Sequence, residues 1–130
     1  MILSINTVKE NSEKIEIILL DNKKQVSRKI VSAKAKQAEK LIPAIDALLK
    51  KEKISLKKIK KIQVENSGGS FTALRIGVAT ANALAYALNL SVEGTAEEEN
   101  SKLSSNELGV IRPIYSREAN ITIGKNKLKK

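Results

Sequence analysis

The residues best suited to chemistry are in the segment Asn66-Ser67-Gly68-Gly69-Ser70, between the apolar run Ile59–Val64 and a long helix-forming stretch that begins at Phe71. A glycine turn joining a strand to a helix N-terminus presents N–H groups at the positive end of the helix dipole. Without side chains in the way, a phosphate can approach that backbone. Gly68, Gly69 and Ser70 are therefore a candidate anion or nucleotide loop. The same residues also suit a purely structural purpose, in which two glycines permit positive φ in a tight turn and Ser70 caps the helix. No Gly-Lys-Ser/Thr follows, so the turn is not a P-loop. Arg75, alone on an apolar helix, either binds an anion or interface at the helix edge or pairs with a nearby carboxylate.

The rest of the composition excludes most catalytic machinery. The 130 residues include neither Cys nor His. That removes thiolate nucleophiles, the Ser-His-Asp triad and the usual zinc sites. Of the 14 carboxylates only Asp21 and Asp46 are aspartates, and Glu97-Glu98-Glu99 reads as a solvated charge run. No catalytic residue and no metal ligand is assigned.

The formal net charge of +10 comes from 20 lysines and four arginines, Arg28, Arg75, Arg112 and Arg117. Arginine is the residue of bidentate phosphate and base contacts, whereas lysine is a hydrated point charge. Phe71, Tyr86 and Tyr115 are the only aromatics. They are too few to interleave with charge as a single-strand-binding surface requires. A lysine-coated solvated surface is thus the plainer account, although a positive field would help a protein work beside nucleic acid. Met1–Ile5 has no basic leader character, and Thr80, Asn82 and Asn89 interrupt the stretch Ile76–Leu90. That stretch falls short of the ~20 apolar residues needed to cross a bilayer. A cytoplasmic protein with no membrane association is expected.

Stepping outward, the elements that would hold the turn are legible in the patterning. Ile2–Ile5, Lys14–Leu20 and Gln25–Val31, with a polar turn at Asp21–Lys24, predict a three-stranded antiparallel meander. Ala38, Leu41, Ile42, Ile45, Leu48 and Leu49 then recur at helical spacing and predict a helix over Ala35–Lys50, with a kink expected at Pro43. Ile59–Val64 predicts a fourth strand parallel to the first, and Ser91–Glu93 a fifth. Between them, Phe71–Asn89 predicts a helix that is apolar nearly all round, with small residues Gly77, Ala81 and Ala85 at every fourth position. Such a helix needs cover on most sides, and the excess suggests a partner. Thr95–Gly109 reads as a surface helix or loop, Val110–Tyr115 and Ile121–Ile123 as extended segments, and Lys125–Lys130 as a tail.

The block Ser67-Gly68-Gly69-Ser70-Phe71-Thr72-Ala73-Leu74-Arg75-Ile76-Gly77 resembles the TsaB (YeaZ) family signature Gly-Pro-Gly-Ser-Phe-Thr-Gly-Leu-Arg-Ile-Gly, which also continues into an Ala-rich helix. Ile5-Asn6-Thr7 is similar to the family's Ile-Asp-Thr in its first strand. Leu41-Ile42-Pro43 is similar to a Leu-Leu-Pro inside its first helix, and Pro113-Ile114-Tyr115-Ser116-Arg117 to a Pro-x-Tyr-x-Arg near its C-terminus. The resemblance implies an α/β actin/Hsp70-like, ribonuclease-H-type domain over residues 1–94, with 95–130 a shortened remnant of the family's second region. It implies a non-catalytic adaptor that binds and activates a TsaD-type transferase in threonylcarbamoyladenosine modification of tRNA. The implied contact runs through the two helices, with interface candidates Ala38, Leu41, Ile45, Leu74, Gly77, Val78, Ala81 and Ala85. A homodimer through the same helices, a TsaE-like ATPase as further partner and indirect contact with tRNA are also implied. No cofactor is required by this chain, while ATP would act at the level of the complex. Three departures remove a charge, a ring or a constraint: Asn6 for the strand-one aspartate, Gln37 where relatives often carry His, and Ser67-Gly68 for Gly-Pro. The alternatives from other classes are a small basic RNA-binding module, a homodimeric scaffold outside tRNA modification, and a residual ATPase or peptidase, which the missing residues disfavour.

Overall fold

In the computed structural model, residues 1–96 are described. Alternation of apolar and polar residues builds strands β1 (Ile2–Val8), β2 (Lys14–Asp21) and β3 (Lys24–Ser32). Helix α1 (Gln37–Lys51), strand β4 (Lys61–Val64), helix α2 (Phe71–Leu88) and strand β5 (Ser91–Gly94) follow. The sheet has five strands in the order β3-β2-β1-β4-β5. β1–β2 and β2–β3 pair antiparallel, while β1–β4 and β4–β5 pair parallel. The expected meander extended by parallel strands is therefore what forms.

Register decides which side chains meet the helices. Leu3 lies opposite both Leu19 and Ile62, and Ile5 opposite both Ile17 and Val64, so one face of the sheet is a continuous aliphatic layer. These side chains are fully buried together with Leu41, Leu48 and Leu74 of the helices. Burying a residue of this size is worth ~1.5–3 kcal/mol, so this layer is the core. The other face mixes polar and aliphatic residues, with Ser4, Ile18 and Arg28 in one row and Asn6, Glu16 and Ile30 in the next.

The helix limits differ slightly from the sequence expectation. Ala35 adopts φ 59, so α1 begins at Gln37 rather than Ala35. Pro43 sits inside α1 on its exposed side, where the carbonyl it frees can reach water. Ser70 caps α2 by accepting a hydrogen bond from the Ala73 N–H at 3.1 Å, and Asn89 ends it in the left-handed region at φ 58. By length and composition α2 could cross a membrane. In the fold its stripe Ala73, Leu74, Gly77, Val78, Ala81 and Ala85 is packed against the sheet as a core helix. The expected elements within 97–130, including the Pro113–Arg117 similarity, lie outside the described residues.

Candidate functional site

Two features meet at the C-terminal end of β1, the glycine turn and a left-handed loop that the sequence did not signal. Asn6 Oδ1 accepts the Val8 N–H at 2.8 Å and turns the chain out of β1. A single helical turn, Lys9–Ser12, follows, with Glu10, Asn11 and Ser12 at φ 52, 57 and 72. Non-glycine residues pay for this region, so surrounding contacts must hold it. Here the holders are polar and buried. Ser12 Oγ accepts the Ser70 N–H at 2.8 Å, and Ser12 O accepts Gln37 Nε2 at 2.8 Å. Ser12 and Gln37 are both more than nine-tenths buried, at 7% and 4% exposure. Gln37 thus latches α1 to the loop, at the position where the resemblance implies His.

The glycine turn answers its two readings unevenly. Gly68 and Gly69 adopt φ 89 and 67, and a Cβ on Gly69 would collide with Val8 and the Ser12 hydroxyl. Ser70 spends its N–H on Ser12 and its hydroxyl oxygen on Ala73. The tight-turn and cap role is therefore directly visible, and the Ser70 N–H and hydroxyl oxygen are engaged within the chain. Beside the turn lies an open cleft of about 470 Å³ between the two helix N-termini, lined by Ser12, Lys34, Lys36, Gln37, Ser70 and Ile76 among others. Lys34 pairs with Glu13 at 3.6 Å. No cluster of metal-ligating side chains occurs among the described residues.

The structure places seven of the eight interface candidates inside and one outside. Leu41, Ile45, Leu74, Gly77, Val78, Ala81 and Ala85 are buried in this chain's own core, and only Ala38 is exposed. The reason is close packing on β1. Thr7 Oγ1 donates to Ala73 O at 2.7 Å, and a Cβ on Gly77 would strike the Thr7 side chain. The small-residue stripe admits the chain's own strand β1.

The opposite side of α2 is what faces outward. Phe71, Thr72, Arg75, Ala79, Ala83 and Tyr86 are exposed and share one helical face, with Tyr86 at 90% exposure. The guanidinium of Arg75 stacks over the Phe71 ring, 5.1 Å from its centroid, and pairs with no carboxylate among the described residues. Neither reading of Arg75 anticipated that cation–π contact. On α1, Ile42 adds a 49% exposed aliphatic side chain. The aromatics were the signal for this face, since Phe71 and Tyr86 are off the small-residue stripe.

A mixed sheet with both helices on one face, a Gly-Gly-Ser turn into α2 and a charge-poor outer helix define an α/β domain whose likeness can be tested directly. The family model described as TsaD, tRNA N6-adenosine threonylcarbamoyltransferase, matches residues 29–96, just over half of the chain. The chain belongs to that family. It is 28% identical over 115 residues to the tRNA threonylcarbamoyladenosine biosynthesis protein TsaB of Bacillus subtilis (strain 168), covering 88% of this chain and 49% of the relative. Its fold is similar to that of YeaZ from Pseudomonas aeruginosa, with TM-score 0.65 and 23% identity over 73% of this chain and 43% of that one. A second Pseudomonas aeruginosa structure, of a protein with similarity to peptidase YEAZ, matches equally, over 42% of its length. The chain spans about half the length of the curated relative it matches.

Proposed function

We propose that this chain is a non-catalytic adaptor in threonylcarbamoyladenosine modification of tRNA, binding and activating a TsaD-type transferase through the outer face of α2 and the exposed part of α1. The single observation carrying this reading is the charge-poor helical face of Phe71, Ala79, Ala83 and Tyr86, with Arg75 its one cation. An exposed face of this kind marks an interaction site. The names of the relatives supply the reaction, and the sheet order agrees with an actin/Hsp70-like, ribonuclease-H-type domain over residues 1–94. Asn6 keeps the β1 turn with an amide where a charged aspartate would serve phosphate or metal, which supports the non-catalytic role. A homodimer, if formed, would use the same face and dissociate on binding the transferase. A TsaE-like ATPase would join at the level of the complex, in the cytoplasm.

The test is tRNA threonylcarbamoylation by the TsaD-type subunit of the same source, with and without this chain. Stimulation that saturates at equimolar chain is expected. Equal rates in both arms would contradict the proposal.

A further inference from the structure

The segment Lys50–Lys61 contains seven lysines and a single glutamate within twelve residues. The fold gathers it at one end of the sheet. There α1 ends at Lys51, a 3-10 turn spans Leu56–Lys58, and β4 enters at Lys61 opposite Ile2. Lys60 N–H donates to Met1 O at 2.8 Å. The β2–β3 turn reaches the same end, since Leu20 is also opposite Ile2, and it adds Lys23 and Lys24. Ser27 Oγ donates to Glu52 Oε2 at 2.7 Å, tying that hairpin to the end of α1.

Charge pairing differs sharply between the two ends. At the glycine-turn end Lys9, Lys14 and Lys34 each sit 3.3–3.6 Å from a glutamate, and Lys36 is exposed there without a carboxylate partner among the described residues. At the lysine end, among the described residues, only Lys50 and Lys61 have a carboxylate, at 3.0 and 3.1 Å. The two turn lysines, with Lys51, Lys53, Lys57, Lys58 and Lys60, are exposed and have no carboxylate partner among the described residues. Like charges held together make a positive field at this end, which favours the approach of a polyanion. Lysines supply point charges for phosphates without base readout. The segment contains no Phe, Tyr or Trp to stack on an unpaired base or to anchor in a bilayer interface.

We infer that this lysine end docks the phosphate backbone of a folded RNA without reading its sequence, at the end of the sheet opposite the glycine turn. The choice of RNA among polyanions rests on the tRNA-modification reading; the electrostatics alone favour any polyanion.

The isolated full chain is titrated against an unmodified tRNA transcript by fluorescence anisotropy at about 50 to 200 mM salt, a range over which backbone binding weakens steeply. The triple variant Lys53→Glu/Lys57→Glu/Lys58→Glu is compared with Lys34→Glu/Lys36→Glu/Lys40→Glu, which changes net charge equally. The first should bind at least about tenfold more weakly with a log–log salt slope shallower by about two to three, since each of three lost phosphate contacts removes about 0.7 to 0.9 of a unit. The second should stay within about threefold of the parent if placement, not net charge, governs binding. Equal weakening of both triples, or no binding by the parent, overturns the inference. Sedimentation with phosphatidylserine–phosphatidylcholine vesicles in place of tRNA binding would overturn the assignment to RNA. Circular dichroism checks folding, and Lys57→Gln/Lys58→Gln replaces the first triple if that variant fails to fold. Transferase binding is measured separately, so failure here leaves the adaptor reading standing and its failure leaves this one testable.

Discussion

At the scale of single residues, contacts with Thr7 and Ser12 explain why particular small or polar side chains occupy their positions. Gly77 leaves room for Thr7, whose hydroxyl satisfies the Ala73 carbonyl inside the core. Gly77→Ala should therefore cost about 1–3 kcal/mol by overpacking, measured by urea denaturation. Pairing it with Thr7→Ala should recover part of that loss, because the two changes share one contact. Strict additivity would contradict this packing account. Sequence reading identified the glycine but assigned it to a partner's approach. It noted Gln37 only as a departure from the family pattern and missed Ser12 and the contact between them, because a left-handed run of Glu10, Asn11 and Ser12 carries no Gly or Pro to announce it. Their pairing joins residues 25 apart in the chain, beyond the reach of local spacing.

At the scale of elements, the strands were readable because alternation encodes a sheet with one buried face. The faces of α2 were not. A helix apolar nearly all round tells which residues share a stripe without telling which stripe looks inward. Only the packing of α2 on β1, β4, β5 and α1 decides that Ala81 is core and Ala83 is surface. Ala81→Arg should consequently unfold or severely destabilise the chain, by about 3 kcal/mol or more, since it buries an unpaired charge. Ala83→Arg should shift stability by less than about 0.5 kcal/mol. Thermal melts of the pair decide the orientation of the helix.

The β4–β5 edge supplies a pH-dependent element. The Gln63 amide, 2.9 Å from Glu93, does most to hold that carboxyl below the ordinary glutamate range, with Lys61 assisting and partial desolvation opposing. A depressed folded-state pKa stabilises the fold above the unfolded-state value and ceases to do so as pH falls through the folded one. Titration of the Glu93 carboxyl by NMR should move upward in Gln63→Leu, and that variant's stability should change less between neutral and acid pH than the parent's. An unchanged Glu93 titration would remove Gln63 as the cause.

At the scale of the whole molecule, one sheet separates three surfaces with different chemistry. Among the described residues the glycine-turn end has Lys9, Lys14 and Lys34 paired and the Ser12 and Ser70 hydroxyls engaged, the lysine end has seven lysines without a carboxylate partner, and the outer side of α2 carries Arg75 as its one charge. A net charge of +10 could not reveal this division, because only the register of β1, β2 and β4 brings Lys23, Lys24 and the Lys50–Lys61 segment to one end. The adaptor account needs the third surface to be the contact. It is tested most directly by light scattering after size exclusion of this chain with the TsaD-type subunit, using the parent protein and Ala83→Arg. The account predicts a one-to-one complex for the parent, appearing as any homodimer peak disappears, and two separate peaks for folded Ala83→Arg. A parent chain that elutes apart from the transferase, or an Ala83→Arg complex as stable as the parent's, would contradict it.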